Sequence, residues 1–232
     1  MDLIYFRGCM GRERVPEITK ATEQILDHVE IPYRILEDEK CCGSVLLRTG
    51  FLEDAKERIR ENLTLLSGSR LLVSCAGCYR TFKIDYPRLF NVKVDVIHSS
   101  QLFHQLLKEG RIQIKGNLKV TYHDPCHLAR HCGEYDAPRK VLEATGTLVE
   151  MEEHHVNAQC CGAGGGVKAA YPHLAEKIAQ KRIEQALDTG AEILCTTCPF
   201  CKYNLKSHGM KVMDISEIIV SLMGVPKSAK IN

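Results

Sequence analysis

The chain has 232 residues, of which 44% are hydrophobic and 26% are charged, so it is long enough and apolar enough to bury a core. Its formal net charge of +2 and its lack of tryptophan do not favour a nucleic-acid-binding surface. No apolar run reaches the length of about 18 residues that indicates a membrane span, and the N-terminus lacks the features of a signal peptide. We therefore expect a cytoplasmic globular protein that binds no nucleic acid and has no membrane span.

The first half of the chain alternates short apolar segments with amphipathic ones. The short segments predict strands at residues 2–6, 31–36, 70–75 and 92–97. The amphipathic segments predict helices at residues 15–29, 52–66, 78–86 and 102–110. Pro87 is expected to end the third helix, and Ser99 or Ser100 to cap the fourth.

The second half repeats the same order of elements. Strands are predicted at residues 118–123, 147–152, 191–196 and 210–216. Helices are predicted at residues 138–146, 173–190, 201–209 and 217–224. This order predicts an internal duplication, with one repeat over residues 1–113 and a second over residues 114–232. The alternation predicts an α/β fold of two duplicated Rossmann-like halves with mainly parallel sheets.

Ten of the twelve cysteines follow this duplication. Each half has a lone cysteine, then an adjacent pair followed by glycine, then a C-x-x-C motif. The first cysteine set is Cys9, Cys41, Cys42, Cys75 and Cys78. The second cysteine set is Cys126, Cys160, Cys161, Cys198 and Cys201. All ten follow predicted strands, and ligands of parallel sheets gather at the carboxyl ends of the strands, so the two sets are expected to face each other.

Metal binding explains this arrangement better than disulfides do. Adjacent cysteines cannot bridge each other without strain, and a reducing compartment keeps thiols free. Thiolate-rich sites select zinc, copper(I) or iron–sulfur clusters. Five cysteines in each half exceed the four ligands of a structural zinc site. The pattern therefore favours one iron–sulfur cluster in each half over a zinc site or reduced core cysteines.

Several strings resemble the cysteine-rich CCG domain of the B- and D-type catalytic subunits of heterodisulfide reductase. They are YFRGC, CCGSVLLRTGF, SCAGCYRTFKIDYP, YHDPCHLAR, CCGAGGG and CPFCKYNL. The likeness covers essentially the whole chain in two tandem copies. The same domain occurs in iron–sulfur subunits of glycolate oxidase and glycerol-3-phosphate dehydrogenase and in lactate-utilisation proteins. The second cysteine set matches the family spacing, whereas the first has only 32 residues between its pair and its C-x-x-C motif, fewer than the family pattern.

The resemblance implies that each cysteine set holds a noncubane [4Fe-4S] cluster. It implies reduction of a disulfide between the two clusters, each giving one electron and capturing one sulfur. The implied substrate is the mixed disulfide of coenzyme M and coenzyme B, and a ferredoxin-type iron–sulfur subunit is the implied electron donor. Two alternatives stay open: an electron-relay subunit of a 2-hydroxy-acid or glycerol-3-phosphate dehydrogenase complex, and a zinc-bound scaffold.

Other residues near the cysteines are weaker candidates. Backbone N–H groups at glycines could approach cluster sulfurs, and the candidates are Gly43, Gly162, Gly164 and Gly165. His127 and His155, with the neighbouring His154, are either proton donors to a leaving thiolate or loop histidines in solvent. Cys132 and Cys195 lie outside the two sets and are expected to be small buried apolar residues. Basic residues near the first set either attract an anionic substrate or form a solvated rim: Arg7, Arg12, Arg14, Arg48, Arg80 and Lys83.

Overall fold

Two parallel sheets organise the chain in the computed structural model, which describes residues 2–66, 68–206 and 208–223. The first sheet has the order β1-β2-β3, with strands Leu3–Phe6 (β1), Arg70–Val73 (β2) and Val96–His98 (β3). The second has the order β5-β4-β6-β7, with strands Leu118–His123 (β4), Gly146–Leu148 (β5), Ile193–Thr196 (β6) and Lys211–Asp214 (β7). Every pairing of these strands is parallel.

The two sheets have equivalent topology. In the first sheet, a single bridge joins Ile4 to Arg34 on the edge of β1 that β2 leaves free. In the second sheet, β5 occupies the same position beside β4. Both halves are therefore Rossmann-like parallel sheets with the helices packed around them, which confirms the predicted fold class.

Helices connect the strands of each half. In the first half they are Cys9–Glu13 (α1), Pro16–His28 (α2), Ser44–Arg48 (α3), Leu52–Leu66 (α4), Ala76–Arg80 (α5), Tyr86–Phe90 (α6) and Ser99–Lys108 (α7). In the second half they are Asp136–Glu143 (α8), Val167–Ala170 (α9), Pro172–Asp188 (α10), Pro199–Leu205 (α11) and Ile215–Leu222 (α12). A π-helical segment spans Thr81–Asp85, and a short 3-10 helix spans His155–Asn157.

Several local predictions were wrong, and the strand expected at 147–152 is replaced by the shorter strand Gly146–Leu148. The segment 31–36 forms only the bridge at Arg34, not a strand. The helix expected to end before Pro87 instead runs through the π-helical segment into α6, and Pro87 lies in the first turn of α6. The cap of α7 is His98, whose Nδ1 accepts the N–H of Ser100, rather than either serine.

The two halves share their core. Helix α2 buries Ile18, Thr22 and Ile25 on one face, at the spacing of an amphipathic helix, and packs against α12 of the second half. Helix α7 packs against α8 in the same way. One cluster of buried apolar side chains runs from Ile4 of the first sheet to Leu194 of the second. The division into repeats at residues 113 and 114 therefore stays a prediction.

The structure does not test the predicted end of the last helix, but it does bear on the predicted absence of a membrane span. The predicted end of the last helix at Gly224 lies outside the described residues. Among the helices that the structure describes, none is both long and apolar enough to cross a bilayer.

Candidate metal centre

The lone cysteines and the C-x-x-C motifs lie at the carboxyl ends of strands or in the first turn of the helices that follow them, as the order of elements predicts. Cys75 follows β2 and forms the N-cap of α5, and Cys198 follows β6 and forms the N-cap of α11. Each C-x-x-C motif therefore begins a short helix at the edge of its sheet. Cys9 and Cys126 follow β1 and β4, the first strand of each half.

Within each set the thiols contact one another. In the first set, the sulfurs of Cys42 and Cys78 are 3.2 Å apart, and the thiol of Cys41 contacts those of Cys9 and Cys42. The thiol of Cys75 contacts that of Cys78, which completes the set.

The second set repeats this chain of contacts. Cys160 contacts Cys126 and Cys161, and Cys201 contacts Cys161 and Cys198. The two sets also meet, because the thiol of Cys75 contacts that of Cys198.

One cavity of about 520 Å³ is lined by all ten cysteines. Its wall also includes apolar side chains, namely Met10, Val45, Ala163, Ala169, Phe200 and Tyr203. Three cations lie in the wall: Arg14, Arg48 and Lys168. The two cysteine sets thus open onto a common space that has both apolar and positively charged sides.

Crowding gives the thiols very different affinities for protons. Contacts with Cys42 and Cys9 lower the pKa of Cys41 to about 2, and contacts with Cys126 and Cys161 lower the pKa of Cys160 to about 2. Contact with these thiolates, together with burial, raises the pKa of Cys9 and of Cys126 far above the ordinary value. The protein alone therefore favours one thiolate in each pair, and five thiolates could coexist only around positively charged metal. This donor chemistry fits an iron–sulfur cluster in each set.

Glycines support the adjacent cysteine pairs. The backbone N–H of Gly43 donates to the sulfur of Cys41 at 3.4 Å, and that of Gly162 donates to the sulfur of Cys160 at 3.3 Å. Both glycines have positive φ, +86° and +84°, which favours glycine. Gly164 and Gly165 lie in the cavity wall. Contact of these four glycines with a cofactor stays a prediction.

Of the histidines predicted as proton donors, His127 lines the cavity. Burial lowers the pKa of His127 to about 4, so its imidazole is neutral near neutral pH. His155 is absent from the cavity lining among the described residues; its ring stacks on Tyr135 and its backbone N–H donates to Asp124 at 2.9 Å. The proton-donor role stays a prediction for both histidines.

Cys132 and Cys195, the two cysteines outside the sets, do not line the cavity that the described residues form. Cys195 lies on β6 and is completely buried in the apolar core. Cys132 is partly buried, which raises its pKa to about 11.

Several residues that fix the cysteine loops had little or no signal in the sequence. The amide of Asn62 donates to the carbonyl of Cys41 at 2.9 Å, and that of Asn204 donates to the carbonyl of Cys161 at 2.6 Å. His123, at the end of β4, has a ring nitrogen within 4.8 Å of the sulfurs of Cys161 and Cys201. The one signal in the sequence for His123 was its position three residues before Cys126.

Asp124 also has a structural role that the sequence did not indicate. Its two carboxylate oxygens accept from Nη1 and Nη2 of Arg139 at 2.8 and 2.9 Å. Arg139 in turn donates to Glu150 at 2.6 Å. This buried ion pair anchors the loop that carries Cys126.

The family of cysteine-rich CCG domains matches residues 3–83 and again residues 120–206. The chain belongs to this family, in two tandem copies. This CCG protein is 39% identical to the D subunit of the dihydromethanophenazine:CoB–CoM heterodisulfide reductase of Methanosarcina barkeri, over 98% of this chain and 60% of the relative. The predicted resemblance to the subunits of heterodisulfide reductase is thereby confirmed.

Other relatives are named for different redox enzymes. The CCG protein is 35% identical to the B subunit of the fumarate reductase (CoM/CoB) of Methanothermobacter marburgensis, over 93% of this chain and 45% of the relative. It is 29% identical to the EtfAB:quinone oxidoreductase of Syntrophomonas wolfei, over 96% of this chain and 34% of the relative. The chain thus spans about 60% or less of the length of these three relatives. Among solved structures, the aspartate racemase of Picrophilus torridus is similar with a TM-score of 0.45 and 13% identity, over 95% of this chain and 93% of the racemase.

Proposed function

We propose that this CCG protein is the disulfide-reducing catalytic part of a heterodisulfide reductase-like complex. Relatives named as subunits of heterodisulfide reductase and of fumarate reductase support an iron–sulfur redox role for the chain. The observation that carries the proposal is the single cavity lined by both cysteine sets, which meet at Cys75 and Cys198. A disulfide in that cavity would have one thiol-rich wall on each side.

The first cysteine set would hold one noncubane [4Fe-4S] cluster and the second set another. When bound, each cluster supplies one electron at a time, and a disulfide needs two. The chain's own part is to hold five sulfurs in contact and to keep the pairs in place through the N–H groups of Gly43 and Gly162. The duplication into repeats 1–113 and 114–232 would then provide two such centres.

The cavity wall indicates what kind of disulfide would fit. Apolar side chains such as Val45 and Phe200 would contact methylene groups. The guanidinium of Arg14 and the ammonium of Lys168 would bind acidic ends of the substrate. Arg48 is less available, because it forms an ion pair with the buried Asp85. The mixed disulfide of coenzyme M and coenzyme B, which is anionic, suits this wall.

His127, the candidate donor that lines the cavity, would have to take up a proton before it could protonate a released thiolate, because its imidazole is neutral near neutral pH. Its Nε2 is 3.4 Å from Nη1 of Arg80, so the two side chains together would stabilise a developing thiolate. His155 would act only indirectly, through Asp124.

Electrons would come from a ferredoxin-type iron–sulfur subunit. The relatives are named as subunits, which supports assembly of this chain into a larger redox complex. Free thiols persist in a reducing compartment, which supports a cytoplasmic location.

A second candidate is an electron-relay subunit that touches no disulfide. The relative named EtfAB:quinone oxidoreductase favours this alternative, because its name includes no disulfide. In that case the two centres would pass electrons onward, and the common cavity would have no substrate.

Metal analysis and EPR spectroscopy test the proposal. Anaerobically purified protein should contain about eight irons and eight sulfides per chain, and oxidation in the presence of the heterodisulfide should change its EPR spectrum. Cys42→Ser and Cys161→Ser should each lose about half of the iron and all disulfide reduction with a dithionite-reduced dye as donor. Cys195→Ala, which alters a buried thiol outside both sets, is the matched control and should keep both.

Three results would contradict the proposal. Iron and activity retained in both serine variants would exclude the cysteine sets as cluster ligands. Eight irons without any response to the disulfide would favour the relay function. Stoichiometric zinc without sulfide would exclude both redox functions.

A further inference from the structure

His123 is held in one orientation by Arg182. Both side chains are buried, His123 at the end of β4 and Arg182 on α10. The Nε of Arg182 donates to Nδ1 of His123 at 3.1 Å. Arg182 is itself fixed, because its Nη1 donates to the carbonyl of Glu153 at 2.9 Å and to Gln185 at 2.8 Å.

This hydrogen bond determines which nitrogen of His123 carries the proton. A guanidinium has donors only, so Nδ1 must offer its lone pair to Arg182. Because Nδ1 accepts this bond it carries no hydrogen, and the ring is therefore neutral. In a neutral ring whose Nδ1 accepts, Nε2 carries the hydrogen. His123 therefore has no free lone pair for a metal ion and has one N–H to donate.

The ring lies against the second cysteine set. One of its nitrogens is within 4.8 Å of the sulfurs of Cys161 and Cys201. The corresponding residue of the first half is Phe6, the third residue before Cys9 as His123 is the third before Cys126. Phe6 packs edge to face on Phe82, with ring centroids 5.0 Å apart, and has no hydrogen to donate to a sulfur.

We propose that His123 donates its Nε2–H to the sulfurs of the second centre and makes the cluster there easier to reduce than the cluster of the first centre. Hydrogen bonds to cluster sulfurs raise reduction potentials, because they stabilise the more negative state. The inference rests on the proposed function only in requiring that both sets hold clusters. It assigns the two centres different potentials, although their cysteines are equivalent.

Redox titration followed by EPR tests this inference on the full chain, and the signal of the second centre is identified in Cys42→Ser, which lacks the first. His123→Phe copies the residue of the first half. This variant should keep its iron content. The reduction potential of the second centre should fall relative to that of the first, so that the ratio of reduced second centre to reduced first centre drops about tenfold. His123→Gln, which can accept from Arg182 and still donate, should restore part of the shift. Unchanged potentials in a fully loaded His123→Phe variant would overturn the proposal.

A measurement on the unaltered sequence covers the case in which the variants fail to fold. Protein labelled with ¹⁵N-histidine should give a weak nitrogen coupling at the second centre in pulsed EPR. A strong coupling would indicate that His123 is an iron ligand, and no coupling would exclude the hydrogen bond; either result overturns the inference. Failure of the proposed function is distinguishable, since it would appear as missing iron or as no response to the disulfide.

Discussion

The loop after the first strand is anchored differently in the two halves. In the first half, the buried carboxylate of Glu39 accepts the backbone N–H groups of Arg7 and Gly8 at 2.8 and 2.9 Å. In the second half, the buried carboxylate of Asp124 binds the side chain of Arg139 instead. Each half therefore uses one buried carboxylate to hold its lone cysteine, but satisfies that carboxylate with different donors.

The helix that follows the last strand of each sheet shows a similar contrast. His98 caps α7 with Gln101 as its partner, and Asp214 caps α12 with Glu217, in the same reciprocal arrangement. Buried tyrosines also correspond, since Tyr5 bonds to Ser74 at 2.9 Å and Tyr122 bonds to Thr197 at 2.8 Å.

These comparisons show that the two halves have the same backbone geometry around the cysteines but use different side chains to stabilise it. The sulfur positions and the backbone turns are equivalent in both halves, because a cluster would require the same set of thiols in each. The surrounding residues need only satisfy one another's hydrogen bonds, so different pairs could replace them without moving the thiols. The two cysteine sets are thus alike in their thiols and unlike in their surroundings.

The largest effect on stability is expected from Arg139→Met. It would leave the buried carboxylate of Asp124 without its charged partner and with the backbone N–H of His155 as its remaining donor, which should cost about 3–5 kcal/mol of unfolding free energy. Arg12→Met is the matched variant in the first half. It removes the 3.8 Å ion pair between Arg12 and Glu39 and should cost about 1 kcal/mol or less, because Glu39 keeps its two backbone donors. Chemical denaturation under anaerobic conditions measures both, and equal losses would mean that the two anchors do not differ.

The glycines after the cysteine pairs should also differ. Alanine at either position is strained, because φ is positive at both. A Cβ at Gly162 would lie 2.7 Å from the carbonyl oxygen of Ala175, whereas a Cβ at Gly43 would lie 3.7 Å from its nearest neighbour. Gly162→Ala should therefore cost about 3 kcal/mol and Gly43→Ala about 1 kcal/mol, measured by the same denaturation. Equal losses, or the reverse order, would contradict this difference in packing.

The two helix caps are expected to make the stability depend on pH, with opposite signs. Burial raises the pKa of Asp214 to about 7, so the folded state keeps a proton that the unfolded state releases, and stability falls as pH rises from about 4 to 7. Burial lowers the pKa of His98 to about 4, so stability falls as pH drops from about 6.5 to 4. Asp214→Asn and His98→Asn keep a capping side chain. In a plot of unfolding temperature against pH, the first variant should lose the fall between about pH 4 and 7. The second should lose the fall below about pH 6.5. The same slope in variant and unaltered protein would contradict these assignments.

Local patterns in the sequence predicted much of the fold. The helix at 52–66 and the strand at 118–123 have the predicted bounds, because apolar periodicity alone determines them. The grouping of the cysteines followed from their spacing and from the meeting of strand ends at one edge.

The rest depends on contacts between distant residues. The strand expected at 92–97 is shortened to Val96–His98, because the neighbouring strand β2 pairs only there. His123 and Arg182 are 59 residues apart in the sequence, and the hydrogen bond between them exists only because α10 packs on the second sheet. No pattern of spacing indicates such a pair.

The packing of α2 on α12 has a consequence for synthesis of the protein. The hydroxyl of Ser216 on α12 donates to the carbonyl of Ile18 on α2, across 198 residues of sequence. The part of α2 that packs against α12 is therefore covered only after the ribosome has made the second half. While the chain is still being translated, that part of the first half therefore stays exposed until α12 has been made.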